Sequence, residues 1–147
     1  MQINDALATI TAAIKTLLTK HCSDVESHPG RFTEVELTRV ARSKSAVRIA
    51  VEDIVEIQVN GLGKRRTTCL MTAFIICSDA QQQGRSEKAI ELAEIIISAL
   101  PRNDWNSESL QIVLESSISA QNLYNGEINK KGVAMWVVSW QQVIKNF

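Results

Sequence analysis

The sequence predicts an α+β domain, a mainly antiparallel sheet with long hairpins and two helices packed on it. Three observations carry this. Val55, Ile57 and Val59 alternate with Glu56, Gln58 and Asn60, the period-2 pattern of a half-buried strand. Asn60-Gly61-Leu62-Gly63 then supplies the residues that tolerate positive φ in a hairpin turn, and from Thr67 to Cys77 the chain is apolar on both faces. Flanking this hairpin are two stretches whose apolar residues fall three and four apart, the period of a helix.

The first of these runs over Ile3–Cys22, with Ile3, Leu7, Ile10, Ile14, Leu17 and Leu18 on one stripe and Asn4 and Asp5 at the positive end of the helix dipole. Pro29-Gly30 marks a loop. Phe32–Val40 reads as a first strand, an edge one given Glu34, Glu36 and Arg39. Ala46–Val51 alternates cleanly, and Glu52-Asp53 breaks it before the hairpin. After the loop Ser78–Arg85, Ser86 is placed to cap a second helix over Glu87–Leu100, which Pro101 ends. Leu110, Ile112, Leu114 and Ile118 alternate with polar residues and predict another strand. The last strand, Val133–Lys145, is apolar on both faces and therefore needs cover on both, from a helix layer on one side and a further layer or another subunit on the other. The order is α-β-β-β-β-α-β-β, in a single domain spanning residues 1–147.

A chain of 147 residues buries roughly two thirds of the surface its unfolded form exposes, enough for one core. Its 16 basic and 16 acidic residues cancel, which argues against a generic polyanion binder, since such proteins need a net basic face. Cys22, Cys69 and Cys77 are too few for a disulfide framework. Cys69 and Cys77 share one predicted strand, roughly 26 Å apart at the strand rise, so they cannot bridge. Buried, reduced thiols of a cytoplasmic protein are the expectation. The opening MQINDALATITAAIKTLL has neither the basic start of a signal peptide nor an apolar run long enough for a bilayer, so no export signal or membrane anchor is expected.

No stretch carries a catalytic signature. Gly61-Leu62-Gly63-Lys64 resembles a phosphate loop superficially, but Gln58 stands where the first glycine belongs and Arg65 where Ser or Thr belongs. The segment also leads into a strand, so a hairpin turn explains it better. Lys64, Arg65 and Arg66 form the sharpest charge cluster: a solvated turn on the plain reading, a contact for an acidic partner or nucleic acid on the functional one. No aromatic residue interleaves with them to stack a base. His21, Cys22 and His28 lack a second half of metal-ligand spacing, and neither histidine has a nucleophile elbow nearby. Glu52, Asp53 and Glu56 read as a solvated strand break rather than a paired-carboxylate site. Trp136 and Trp140, four apart on one strand face, read first as core and second as an oligomer interface.

The arrangement as a whole resembles that of phage tail terminator (tail completion) proteins, of the type found in Mu-like phages and prophages. The resemblance rests on the amphipathic opening helix, the strands AVRIAV and EIQVNGLGKRRTTCLMTAFIIC, the helix SEKAIELAEIIISAL and the closing strand KGVAMWVVSW, and covers nearly the whole chain. It implies a structural virion protein without catalysis or cofactor. Such proteins assemble as a ring, typically a hexamer, on the head-proximal end of the tail. The ring ends polymerisation of the tube and sheath and offers the docking surface for the head connector. The implied partners are further copies of the chain, tail tube and sheath proteins and the head–tail connector. The implied place is the virion tail, reached by assembly in the host cytoplasm. The alternative drawn from the residues alone is a small nucleic-acid-binding module working through Lys64, Arg65 and Arg66.

Overall fold

The structure is a computed structural model that describes residues 1–30, 36, 39, 44–78, 84–123 and 132–146. Its elements are helix α1 (Ile3–Leu17), strands β1 (Val25–Ser27), β2 (Ser45–Val59) and β3 (Arg65–Ser78), helix α2 (Arg85–Ala99), a 3-10 turn at Glu115–Ser117, and strands β4 (Ser119–Asn122) and β5 (Val133–Asn146). The five strands form one sheet in the order β1-β2-β3-β5-β4, antiparallel throughout except for the β1–β2 pair. The α+β class with two helices on a mostly antiparallel sheet is therefore what the chain adopts.

Both helices lie on the same face of the sheet and close a single large core with it. Ala6, Ile10, Ile14 and Leu18 come from the first helix and its cap, and Ala89, Leu92, Ala93 and Ile96 from the second. From the sheet come Val47, Ile49, Met71, Ile75, Trp140 and Ile144, all essentially inaccessible to solvent. Helix α1 stops at Leu17, short of the predicted Cys22. There the threonine hydroxyls bond back to the helix, Thr16 to the Ala12 carbonyl and Thr19 to those of Lys15 and Thr16, at 2.9–3.2 Å, which favours a turn over another helical round. Helix α2 begins at Arg85, two residues before the Glu87 that Ser86 would lead into, with Gly84 at the cap position.

Several expectations change. Glu52-Asp53 does not end a strand: β2 runs unbroken from Ser45 to Val59 and absorbs the acidic pair as β-bulges between Val51 and Asp53 and between Ile54 and Glu56. The strand expected over Phe32–Val40 lies outside the described residues, apart from Glu36 and Arg39, whose backbone is helical. Strand β1 was not foreseen, being three residues long. The strand expected across Leu110–Ile118 is reduced to a bridge between Leu110 and Ile144. Beyond it the Val113 N–H turns to the Asn103 carbonyl at 3.1 Å, and Glu115-Ser116-Ser117 tightens into the 3-10 turn before pairing resumes at Ser119.

The second face of the sheet is covered within the chain. Ala46, Ala50, Phe74, Ile76, Val133 and Met135 form a smaller buried cluster there. Arg48, on the same side, is also buried and bonds Asp24 through both terminal nitrogens, at 2.8 and 3.1 Å. Where Phe74, Ile76, Val133 and Met135 lie, the second face of β3 and β5 is buried without a neighbouring subunit. Among the described residues the longest run of exposed apolar side chains lies on β2, at Ile54, Val55, Ile57 and Val59.

Candidate interaction surface

The β2–β3 hairpin extends beyond the rest of the sheet's cover. Strand β1 pairs with Val47–Ile49 of β2, and among the described residues no strand lies along the outer edge of β2 from Glu52 to Val59. Among the described residues this half-strand pairs with β3 alone, from Asp53 opposite Leu70 to Val59 opposite Arg65, with one register shift between Ile54 and Glu56. Its side chains are exposed without exception. Ile54, Val55, Ile57 and Val59 show between 45% and 63% of their surface, and Leu62 at the turn shows 84%. An unpaired strand edge lined with branched apolar residues is a site that proteins ordinarily blunt or cover.

The bulges decide which of these residues share a face. Ile54 stands opposite Cys69 and Ile57 opposite Thr67, on the side that the helices cover lower down the sheet. Val55 is the extra residue of the second bulge and drops out of the Ile57–Val59 alternation. Asp53 steadies the first bulge by accepting a hydrogen bond from the Ile54 N–H at 2.9 Å, and Glu56 accepts one from the Gln58 carboxamide at 2.9 Å. The acidic cluster is thus a solvent-facing part of the arm.

The tip is a built turn. The Asn60 side-chain oxygen accepts from the Leu62 and Lys64 N–H groups at 2.9 and 3.0 Å, while the Asn60 N–H donates to the Lys64 carbonyl at 3.0 Å. Gly63 takes φ 76°, which the turn requires and a β-carbon would oppose. Gly61–Lys64 is accordingly a hairpin turn leading into a strand, as its departures from a phosphate loop imply. Beside it lies an open hollow of about 490 Å³ lined by Gln58, Val59, Asn60, Lys64 and Arg66.

Strand alternation splits the basic cluster. Arg65 is half-buried on the helix side and donates to the Asn146 side-chain oxygen at 3.3 Å, an atom that also receives the Thr67 hydroxyl at 2.7 Å. The Asn146 amide in turn donates to the Met1 carbonyl, which ties the start of α1 to the end of β5. Arg65 therefore belongs to a clamp that closes the sheet, whereas Lys64 and Arg66 are exposed on the arm.

Trp136 and Trp140 both face the helices, as their even spacing with Val138 and Ile144 requires. Trp140 is wholly buried against Trp105, with ring centroids 6.1 Å apart, and offers no surface to a neighbour. Trp136 is partly buried against the same core. His21, Cys22 and His28 diverge. His28 meets Glu36 at 2.6 Å through Nε2 and accepts the Gly30 N–H at Nδ1, His21 faces Glu91 at 3.7 Å, and Cys22 is buried. Among the described residues no cluster of three His, Cys, Asp or Glu side chains is placed to hold a metal ion, and no helix is long and apolar enough to cross a membrane.

Sequence reasoning missed Ile112 and Leu114, which it turned inward as strand residues. Each is about half exposed, 52% and 48%, on the segment that follows Leu110. Three contacts fix this segment. Gln142 donates to the Gln111 carbonyl at 2.6 Å and accepts the Trp105 indole N–H at 2.7 Å, while the Gln111 N–H reaches the Val143 carbonyl at 3.1 Å. The signal for Gln142 was a lone polar residue on an otherwise apolar strand face.

The chain matches no protein-family model, and no curated protein is significantly similar to it.

Proposed function

We propose that the protein is a structural subunit of a phage or phage-like tail. Copies form a ring on the head-proximal end, stop growth of the tube and any sheath around it, and present the surface on which the head connector docks. The observation that carries this reading is the β2 arm, whose Ile54, Val55, Ile57 and Val59 are exposed on a strand edge along which no described strand lies. Such an arm suits a subunit whose stable form is an assembly, because burying those side chains against a partner recovers about 25 cal/mol for each Å² removed from water. The element order that resembles tail terminators, with the long hairpin ahead of the second helix, supports the same reading. In it the protein binds and positions other proteins and performs no reaction. The test is to incubate the purified chain with and without isolated tail tubes and examine it by light scattering and electron microscopy. Closed rings, free or seated on tube ends, are expected; a chain that stays monomeric even with tubes present contradicts the reading.

A second reading is favoured by the hollow at the tip, where Lys64 and Arg66 flank Gln58 and Asn60. It would suit a phosphate backbone. DNA binding at low salt that disappears when Lys64 and Arg66 become alanine would favour this reading; no binding at low salt eliminates it.

A further inference from the structure

Each rung of the sheet can be followed from one edge to the other. Ile57 pairs with Thr67, Thr67 with Ile144, and Ile144 with Leu110, so Ile57 and Leu110 end the same rung on opposite edges. One step towards the hairpin tip, Gln58, Arg66 and Lys145 share a rung, and the Ser109 carbonyl accepts the Lys145 N–H at 2.8 Å. In the other direction Asp53, Leu70 and Gln141 share one, and the Ser117 hydroxyl accepts the Gln141 N–H at 2.9 Å. The exposed Ile112 and Leu114 lie on the stretch between Leu110 and Ser117. The exposed Ile54 and Val55 lie on the matching stretch of the other edge, between Ile57 and Asp53.

The charges at the ends follow the same heights. Glu108, whose carbonyl meets the Lys145 ammonium at 3.4 Å, lies level with Val59 and the tip that carries Lys64. At the other end of the segment Glu115 lies 3.6 Å from Arg102, an exposed ion pair within the chain. Apolar stands level with apolar, and the anion Glu108 with the cationic tip, at opposite edges of one sheet.

We infer that the β2 arm of one copy packs along the segment Glu108–Glu115 of the next, head to tail. The occupant is a second copy of this chain. The two surfaces differ and lie on opposite edges, so each copy can hold one neighbour with its arm and be held by another through its segment. That is a heterologous interface, which closes into a ring or continues as a filament. The inference deepens the ring reading, rests on it only for closure, and names the residues that would join neighbours.

The experiment uses the full-length protein and two variants at exposed positions, Ile57→Glu and Ile112→Glu, with unfolding curves to confirm that each folds and Ile57→Thr as a milder arm variant. Masses are measured by light scattering for each protein and for an equal mixture of the two glutamate variants. The wild type is expected to assemble and each glutamate variant to be monomeric. The mixture should give a dimer, because an intact arm on the Ile112→Glu copy still meets an intact segment on the Ile57→Glu copy, and no third copy can add. Assembly that survives Ile112→Glu overturns the inference and leaves the ring reading standing. Wild-type filaments that both substitutions dissolve support the inference and overturn the closed ring. A wild type that remains monomeric at its highest soluble concentration, with and without tail tubes, overturns both.

Discussion

Ile57 and Leu110 end the same rung of the sheet on opposite edges, joined through Thr67 and Ile144. Leu110 is buried and Ile57 more than half exposed, so one rung begins in the core and ends in water. The asymmetry arises because the segment at Leu110 lies against β5 at this height, while no described strand lies along β2 there.

The segment after Leu110 depends on Gln142. Replacing it with alanine leaves the buried Trp105 N–H and the Gln111 carbonyl without their partner, so Gln142→Ala should cost about 2–4 kcal/mol. Urea unfolding measures this. Hydrogen exchange should quicken first in the stretch around Gln111, whereas a loss spread evenly over the chain would contradict the role given to this side chain.

Arg48 is a buried cation held bidentately by Asp24. Asp24→Ala strips that partner and should destabilise by about 2–3 kcal/mol. Combining it with Arg48→Met removes the stranded charge, so the double variant should be more stable than Asp24→Ala alone. Additive losses in a double-mutant cycle would show that the pair is not coupled.

Burial pushes the Cys69 thiol up from its ordinary value of 9.0. In the folded protein the thiol keeps its proton to higher pH than in the unfolded chain, so above about pH 9 the unfolded state binds fewer protons and stability falls as pH rises. Below that both states are protonated and the thiol contributes no slope. Cys69→Ala should therefore flatten the alkaline limb of a stability–pH curve while adding a pH-independent offset. Parallel curves for the two proteins would contradict this.

The three basic residues of the tip should separate by experiment. Arg65→Ala loosens the Asn146 clamp and should cost about 0.5–1 kcal/mol of stability. Lys64→Glu with Arg66→Glu should leave stability within about 0.5 kcal/mol, as expected at exposed positions. The same pair of changes should weaken assembly or tail docking. Equal stability losses from both sets would mean that the tip acts as one structural unit.

Much of the architecture was legible because period and turn chemistry are local. Both helices, the hairpin at Asn60–Lys64 and the two-sided strands β3 and β5 follow from apolar spacing and from residues that accept positive φ. What stayed hidden was non-local. Glu52-Asp53 looks like a break, yet β3 offers enough pairing partners to carry β2 through it as bulges. Ile112 and Leu114 alternate like strand residues, but the Asn103 carbonyl captures Val113 and rotates them into solvent. The bare edge of β2 could not be read from Val55–Val59 at all, because alternation marks a strand without saying what lies beside it. Trp140 shows the reverse: its burial follows from which strand face the helices occupy.

The most direct test is the mass and symmetry of the assembled particle. Light scattering and electron microscopy of the wild type, alone and on tail tubes, should show closed rings with a mass six times that of the 16.3-kDa chain, seated at one end of each tube. Particles that remain at the mass of a single chain, with tube ends left bare, would contradict the account.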